Sequence, residues 1–364
     1  MDFAWKSHIK KNIAPLIVAI LATAAFNYFV IQSLYLSLIY GGLMGLLIYA
    51  STFVYSNFVQ PRMVRNLPVV TELVINTLVI VIIILFWVII ILMVANKVPL
   101  NQAPAYIGLL LKEKGVQYGL TYGIIISFIF NLVLSIQDIV GSKTLGKLFI
   151  GAYSQPREEE RIFLFLDLKS STTIAEKVGN KEFLNLLNDF FFYSSKSISQ
   201  TKGSIYKYVG DEVIVTWPMK KGLKNANSVR CFFMIKNDIR ENRKYFQKKY
   251  GLMPEFKAGL HGGKVVAGEL GFHKKEITYL GDVLNTAARI EALCNDYGAE
   301  LLVSEDIISK IHLPAGQRSH AVGKVNLRGK DKPVQLFEIK ADSRFTDSMN
   351  LKNNESKDYE SSPY

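Results

Sequence analysis

Cysteine is nearly absent from this chain of 364 residues, with Cys231 and Cys294 the only two. Neither belongs to a Cys-x-x-Cys pair or to a metal-ligand spacing, and both have apolar neighbours. A disulfide framework and a zinc site are therefore excluded, and buried free thiols in a reducing compartment are expected. The chain also lacks a basic stripe with interleaved aromatics. Its net charge of +12 comes from 43 basic and 31 acidic residues that are interspersed, which argues against nucleic acid as a partner. No Gly-Lys-Ser/Thr follows the glycine-rich segment GLHGGKVVAG at the spacing of a P-loop, and a hairpin turn accounts for those glycines. The first apolar run, Ile13 to Ile31, is too long for a cleavable leader and has no small-residue cleavage site after it. No acid or base sits in the middle of the apolar runs, which excludes a proton relay, an ion pathway and a voltage sensor.

What is present is unevenly distributed. Four runs, Ile13 to Ile31, Leu34 to Val54, Leu73 to Ala95 and Leu120 to Ile136, carry the apolar residues needed to cross about 30 Å of hydrocarbon as helix. Lys6, Lys10 and Lys11 precede the first run, Arg62 and Arg65 separate the second from the third, and Lys143 and Lys147 follow the fourth. By the positive-inside rule both termini face the cytoplasm, although Lys97, Lys112 and Lys114 in the loop between the third and fourth runs weaken the contrast. The expectation is a four-helix transmembrane domain over 1–137, multi-pass in the cell (inner) membrane with the lipid bilayer as its partner. A cytoplasmic linker over 138–160 follows, punctuated by Gly141, Gly146, Gly151 and Pro156. The polar stretch 341–364 is expected to be a disordered tail.

Between linker and tail, 161–340 reads as a soluble α+β domain. Its apolar strand IFLFLDL leads to a helix over Lys181 to Thr201. GSIYKYVGDEVIVTW then makes two strands joined by a tight turn at Gly210 and Asp211, and a helix over Leu223 to Tyr250 follows. Strands are expected at Phe256 to His261, Lys264 to Leu270, Leu301 to Ser304, His320 to Leu327 and Val334 to Ile339, with a helix over Val283 to Tyr297 and helices on one face of the sheet.

Asp167 and Asp211 stand where apolar strands end. If those strands are neighbours, the two carboxylates converge, and paired hard oxygens suit magnesium that shares its shell with phosphates. Taken singly, each acid is also an ordinary turn residue. Ser170, Ser171 and Thr172 open a helix after Asp167, which fits either a phosphate at a helix N-terminus or a simple cap. Asn285 and Arg289 are four residues apart and share one helix face.

In order, FLFLDLKSST, YKYVGDE, GLHGGKVVAGELG, TYLGDVLNTAARI and LRGKDKPVQLFEI resemble the catalytic domain of class III adenylyl and guanylyl cyclases. The resemblance implies a ferredoxin-like α+β cyclase domain and a head-to-tail homodimer with active sites shared between protomers. It further implies two metal ions per site, Mg2+ or Mn2+, bound by Asp167 and Asp211, with Asn285, Arg289 and Lys330 catalytic from the partner chain. Lys207 and Thr278 occupy the base-reading positions, where guanylyl cyclases carry Glu and Cys, so ATP is the implied substrate and 3′,5′-cyclic AMP with pyrophosphate the product. Lys264 matches a phosphate contact, with Arg328 a rival. Guanylate cyclase activity and a non-catalytic nucleotide-binding membrane sensor are the alternatives. Lys207 and Thr278 count against the first, and retention of Asp167, Asp211, Asn285 and Arg289 counts against the second.

Overall fold

The computed structural model describes residues 20–21, 23–25, 28, 34–59, 67–140, 151–272, 275–326 and 333–341. The chain divides into two compact units, Met1–Leu145 and Gly146–Tyr364.

In the first unit the helices are α1 (Leu34–Val54), α2 (Val69–Ala95), α3 (Ala103–Leu110) and α4 (Lys114–Val140). Among the described residues two helical stretches are long and apolar enough to cross a bilayer, Val69–Val94 and Lys114–Ile136. They correspond to the third and fourth expected spans. The second falls on α1, whose apolar stretch, Leu38–Val54, is shorter, and the first lies for the most part outside the described residues. Trp87 on α2 donates its Nε1 proton to Ser51 Oγ on α1 at 2.9 Å, and Tyr55 donates to Asn76 Oδ1 at 2.8 Å. Between apolar helices in lipid such bonds contribute about 0.6–2 kcal/mol each and fix register.

The second unit is built on one sheet. Its elements are β1 (Arg157–Leu168), α5 (Ser171–Val178), α6 (Asn180–Gln200), β2 (Ser204–Val209), β3 (Glu212–Pro218), α7 (Met219–Leu223), α8 (Asn227–Glu241), α9 (Arg243–Tyr250), β4 (Phe256–Leu270), β5 (Glu276–Leu280), α10 (Asp282–Ala292), β6 (Leu301–Ser304), α11 (Glu305–Ile308), β7 (Gln317–Val325) and β8 (Val334–Ala341). The sheet order is β2-β3-β1-β4-β6-β8-β7, with β5 paired to the far end of β4. The first four strands, antiparallel in the order 4-1-3-2 with helices between β1 and β2 and between β3 and β4, form the ferredoxin-like βαββαβ motif.

Alternation along the central strands sorts side chains to two faces. Ile162, Leu164 and Leu166 of β1, with Val213, Val215, Ala258 and Leu260, pack under α6 and α8 through Leu186, Phe190, Phe232 and Ile235. Phe163 and Phe165 point the other way, into a smaller core with Val265, Tyr279, Val283 and Ala287. Helices therefore cover both faces, with α10 the one helix against the second among the described residues, contrary to the one-sided layer expected from sequence.

Three further expectations are corrected. The segments 256–261 and 264–270 are one continuous strand of fifteen residues rather than a hairpin. Its glycines are there for close approach: a Cβ on Gly259 would stand 2.3 Å from the Glu291 amide nitrogen, and one on Gly263 2.9 Å from Val283 Cγ2. The helix expected over 223–250 is broken twice. Asn225 and Ala226 adopt positive φ of 53° and 49°, and the Asn242 side chain bonds the Asp238 carbonyl at 2.8 Å, competing with the helical backbone pattern. Finally, β1 starts at Arg157 rather than Arg161, because its polar first turns REEE pair with Lys264–Ala267 without an apolar signal of their own. Residues 141–150 and 342–364 lie outside the described residues.

Candidate active site

Strand pairing decides where the acids go. The register Leu166↔Val213 sets the end of β1 beside the start of β3, and the two-residue link Gly210–Asp211 closes the β2–β3 hairpin with Gly210 at φ +63°. Asp167 and Asp211 come together there, near enough for Asp211 to raise the Asp167 carboxyl. Burial first, and then the charges of Asp211 and Glu291, hold the Asp167 carboxyl well above the ordinary carboxylate range, while Lys257 pulls it down. Glu212 is pushed up to about 7, chiefly by burial and then by Glu291, Asp167 and Asp211. An excess of negative charge in a half-buried place, made of hard oxygens, is what a magnesium or manganese ion fits. Among the described residues no group of three or more His, Cys, Asp or Glu side chains has a metal-holding arrangement. A cation on the two aspartates would complete its shell with other oxygens, such as those of backbone carbonyls, water or a bound polyphosphate.

Beneath the acids lies a buried ion pair that motif reading passed over. Lys257, opposite Asp167 in the β1–β4 register, places Nζ 2.8 Å from Glu291 Oε1 and 3.8 Å from Asp167 Oδ2. The Lys257 and Glu291 side chains are only 8% and 9% exposed. The pair thus ties α10 to the acid end of the sheet, with Gly259 allowing the helix to sit that low. The signals were present in the sequence: Lys257 interrupts an apolar strand, and Glu291 falls on the apolar face of α10, four residues after Ala287.

Asn285 is exposed and Arg289 partly exposed on α10, whose buried face carries Val283, Thr286, Ala287 and Ile290. Both point away from the sheet of their own chain. Ser170 takes a left-handed conformation, φ 55° and ψ 33°, and its side chain makes no capping bond to α5. The simple capping explanation of this loop is therefore overturned, and Ser170 and Thr172 are exposed.

Lys207 lies on β2 and Thr278 on β5, and the structure brings these strands together. Tyr206 and Tyr279, their immediate neighbours, stack edge to face at 5.0 Å, and the Tyr279 amide donates to Tyr206 Oη at 3.4 Å. Lys207 Nζ is 3.0 Å from Glu276 Oε2, a residue that motif reading did not single out. Lys264 is exposed on β4, seven residues from Lys257 and so about 23 Å along the strand at 3.3 Å per residue. The structure does not bring Lys264 to the acid pair of its own chain. Lys330 and Arg328 lie outside the described residues.

Residues 153–340 match the family model of the adenylate and guanylate cyclase catalytic domain. The chain is similar to Adenylate cyclase 2 of Rhizobium meliloti (strain 1021), 34% identical over 224 residues that make up 62% of each chain. It is also similar to an adenylate cyclase of Anabaena cylindrica, 27% identical over 56% of this chain and 41% of that one. It thus spans less than two thirds of the length of these relatives. Among solved structures, a bacterial light-regulated adenylyl cyclase shares the fold with a TM-score of 0.51 at 20% identity, over 63% of this chain and 66% of that one.

Proposed function

Because this chain belongs to the family of adenylate and guanylate cyclase catalytic domains, whose model matches more than half of it, we propose that it is an adenylate cyclase. It converts ATP to 3′,5′-cyclic AMP and pyrophosphate at sites shared between two copies of the chain. The observation that carries this reading is the convergence of Asp167 and Asp211 at one sheet end, with Asp167 held above the carboxylate range by burial and by Asp211.

In the reaction a bond forms between the ribose 3′-oxygen and the α-phosphorus, the bond from that phosphorus to the bridging oxygen of pyrophosphate breaks with its electron pair kept by pyrophosphate, and the 3′-hydroxyl proton passes to water. Asp167 and Asp211 would hold the cations. Two divalent ions bound there would supply Lewis acidity and neutralise phosphate charge. The hydroxyls and amides at Ser170, Ser171 and Thr172 receive the polyphosphate at the start of α5. Arg289 of the second copy stabilises charge on the five-coordinate phosphorus, and Asn285 orients the ribose. Neither residue belongs to the buried face of α10, Asn285 being exposed and Arg289 partly so, which supports that division of labour. Lys207 donates to adenine N1 and Thr278 accepts from the 6-amino group. Lys330 holds the triphosphate, with Lys264 as a further phosphate contact. The apolar helices of the first unit anchor the enzyme in a membrane, with the catalytic unit on the cytoplasmic side.

The test is a side-by-side assay of the full chain with ATP and GTP in Mg2+ or Mn2+. Cyclic AMP should form, EDTA should abolish it, and Asp211→Ala should lower kcat at least about 100-fold. Mixing Asp211→Ala with Arg289→Ala chains should restore activity that neither has alone. Full activity of Asp211→Ala would sink the cation assignment, and failure of the mixture would sink the shared site.

A further inference from the structure

The pair Lys207–Glu276 has a consequence for base selection that neither residue has alone. Glu276 and Thr278 are two apart on β5 and present their side chains to the same face. Glu276 Oε2 is 3.0 Å from Lys207 Nζ, and the two side chains are 38% and 41% exposed, open enough to meet a ligand. The contact is not a chance meeting of surface charges. On either side of it Tyr206 and Tyr279 are packed in the smaller core, where Tyr279 is 8% exposed and both rings lie within 5–7 Å of Phe163. The backbones that carry Lys207 and Glu276 are fixed relative to each other by buried aromatic contacts.

The two purines differ at this edge. Adenine offers an acceptor at N1 and a donor at its 6-amino group, whereas guanine offers donors at N1–H and at its 2-amino group. A free carboxylate, with two acceptor oxygens, matches the guanine pair. A carboxylate with one oxygen committed to an ammonium does not, and an ammonium held in place by that carboxylate matches adenine N1. We propose that Glu276 is a specificity-determining positioning residue. It holds Lys207 where adenine N1 is read, and Lys207 in turn masks a carboxylate that otherwise accepts from guanine. The proposal rests on the reading above that Lys207 and Thr278 face the base.

The experiment compares kcat/KM for ATP and GTP in the full-length enzyme and in Glu276→Gln, Glu276→Asp, Lys207→Met and the double variant Lys207→Met/Glu276→Gln. A half-exposed ion pair contributes modestly, so Glu276→Gln should lower the ATP-to-GTP ratio about threefold, through KM for ATP rather than through kcat. Glu276→Asp, which keeps the charge, should recover most of that loss. Lys207→Met should raise GTP use relative to ATP by about tenfold or more, because the ammonium that occupies Glu276 Oε2 and suits adenine N1 is then gone. The double variant should lose that gain. If Lys207→Met and the double variant show the same ratio, or if Glu276→Gln leaves the ratio at the wild-type value, the role of Glu276 is refuted while the base-reading role of Lys207 stands. If Lys207→Met itself leaves the ratio unchanged, or the wild type prefers GTP, the assignment of Lys207 to adenine fails and the proposal fails with it. A merely structural Glu276 would lower kcat for both nucleotides equally, which also overturns it.

Discussion

Adding one methyl group at Gly259 tests the packing of the site more sharply than removing a charge. In Gly259→Ala the new Cβ would lie 2.3 Å from the Glu291 amide nitrogen, 2.6 Å from the Ala287 carbonyl oxygen and 2.7 Å from Glu291 Cα. All three are backbone atoms, so no rotamer change relieves the clash. Ordinary contact needs about 3.5 Å, so α10 must back away from β4 by about 1 Å. Overpacking of this kind costs about 1–3 kcal/mol, and stretching the Lys257–Glu291 pair, buried on both sides, takes the loss toward the upper end or beyond. With about 2–4 °C of midpoint per kcal/mol for a unit of this size, unfolding of the catalytic unit should move down by roughly 10 °C. Asn285 and Arg289 ride on the same helix, and a misplacement of about 1 Å lowers kcat on the order of 100-fold. The control is Gly298→Ala: Gly298 has φ +59° but nothing within 4 Å of an added Cβ, so only about 1–2 kcal/mol of left-handed strain applies. Thermal unfolding and steady-state rates of the full chain read both variants. Equal midpoints for the two, or a Gly259→Ala enzyme with wild-type kcat, would refute the account of why β4 is glycine-rich.

Three further outcomes are expected. Lys257→Met should destabilise the catalytic unit by about 3–5 kcal/mol because it strands Glu291, whereas Lys257→Met/Glu291→Leu should recover most of the loss; chemical denaturation separates the two, and equal losses would mean that the pair is not coupled. Burial pushes the Cys231 and Cys294 thiols up to about 12, so at pH 8 neither should react with iodoacetamide until the chain unfolds. Because these folded thiols keep their protons where unfolded ones ionise, stability should fall as pH climbs from about 9 toward about 12. Rapid labelling of the native protein would contradict the burial of both.

Much of the candidate site was legible in the chain as written. The ends of IFLFLD and YKYVGDE marked Asp167 and Asp211, and the spacing of Asn285 and Arg289 put them on one helix face, because each depends on local periodicity alone. The apolar runs declared helices able to cross a bilayer for the same reason, although among the described residues only two of the four reach that length. Tertiary structure decided what local pattern could not carry. A glycine reads as a turn until something is packed against it, and only the packing on β4 shows that GLHGG is strand, with Gly259 kept bare for the backbone of α10 and Gly262 and Gly263 for the side chains of Ile307 and Val283. Glu276 looks like an ordinary charge in sequence, and the apolar settings of Lys257 and Glu291 name no partner, since the partners lie 34 residues apart in that pair and 69 in the case of Lys207 and Glu276. Sequence periodicity specifies which face a residue takes on its own element, whereas the register between elements, set by burial and pairing across the sheet, specifies which charges meet.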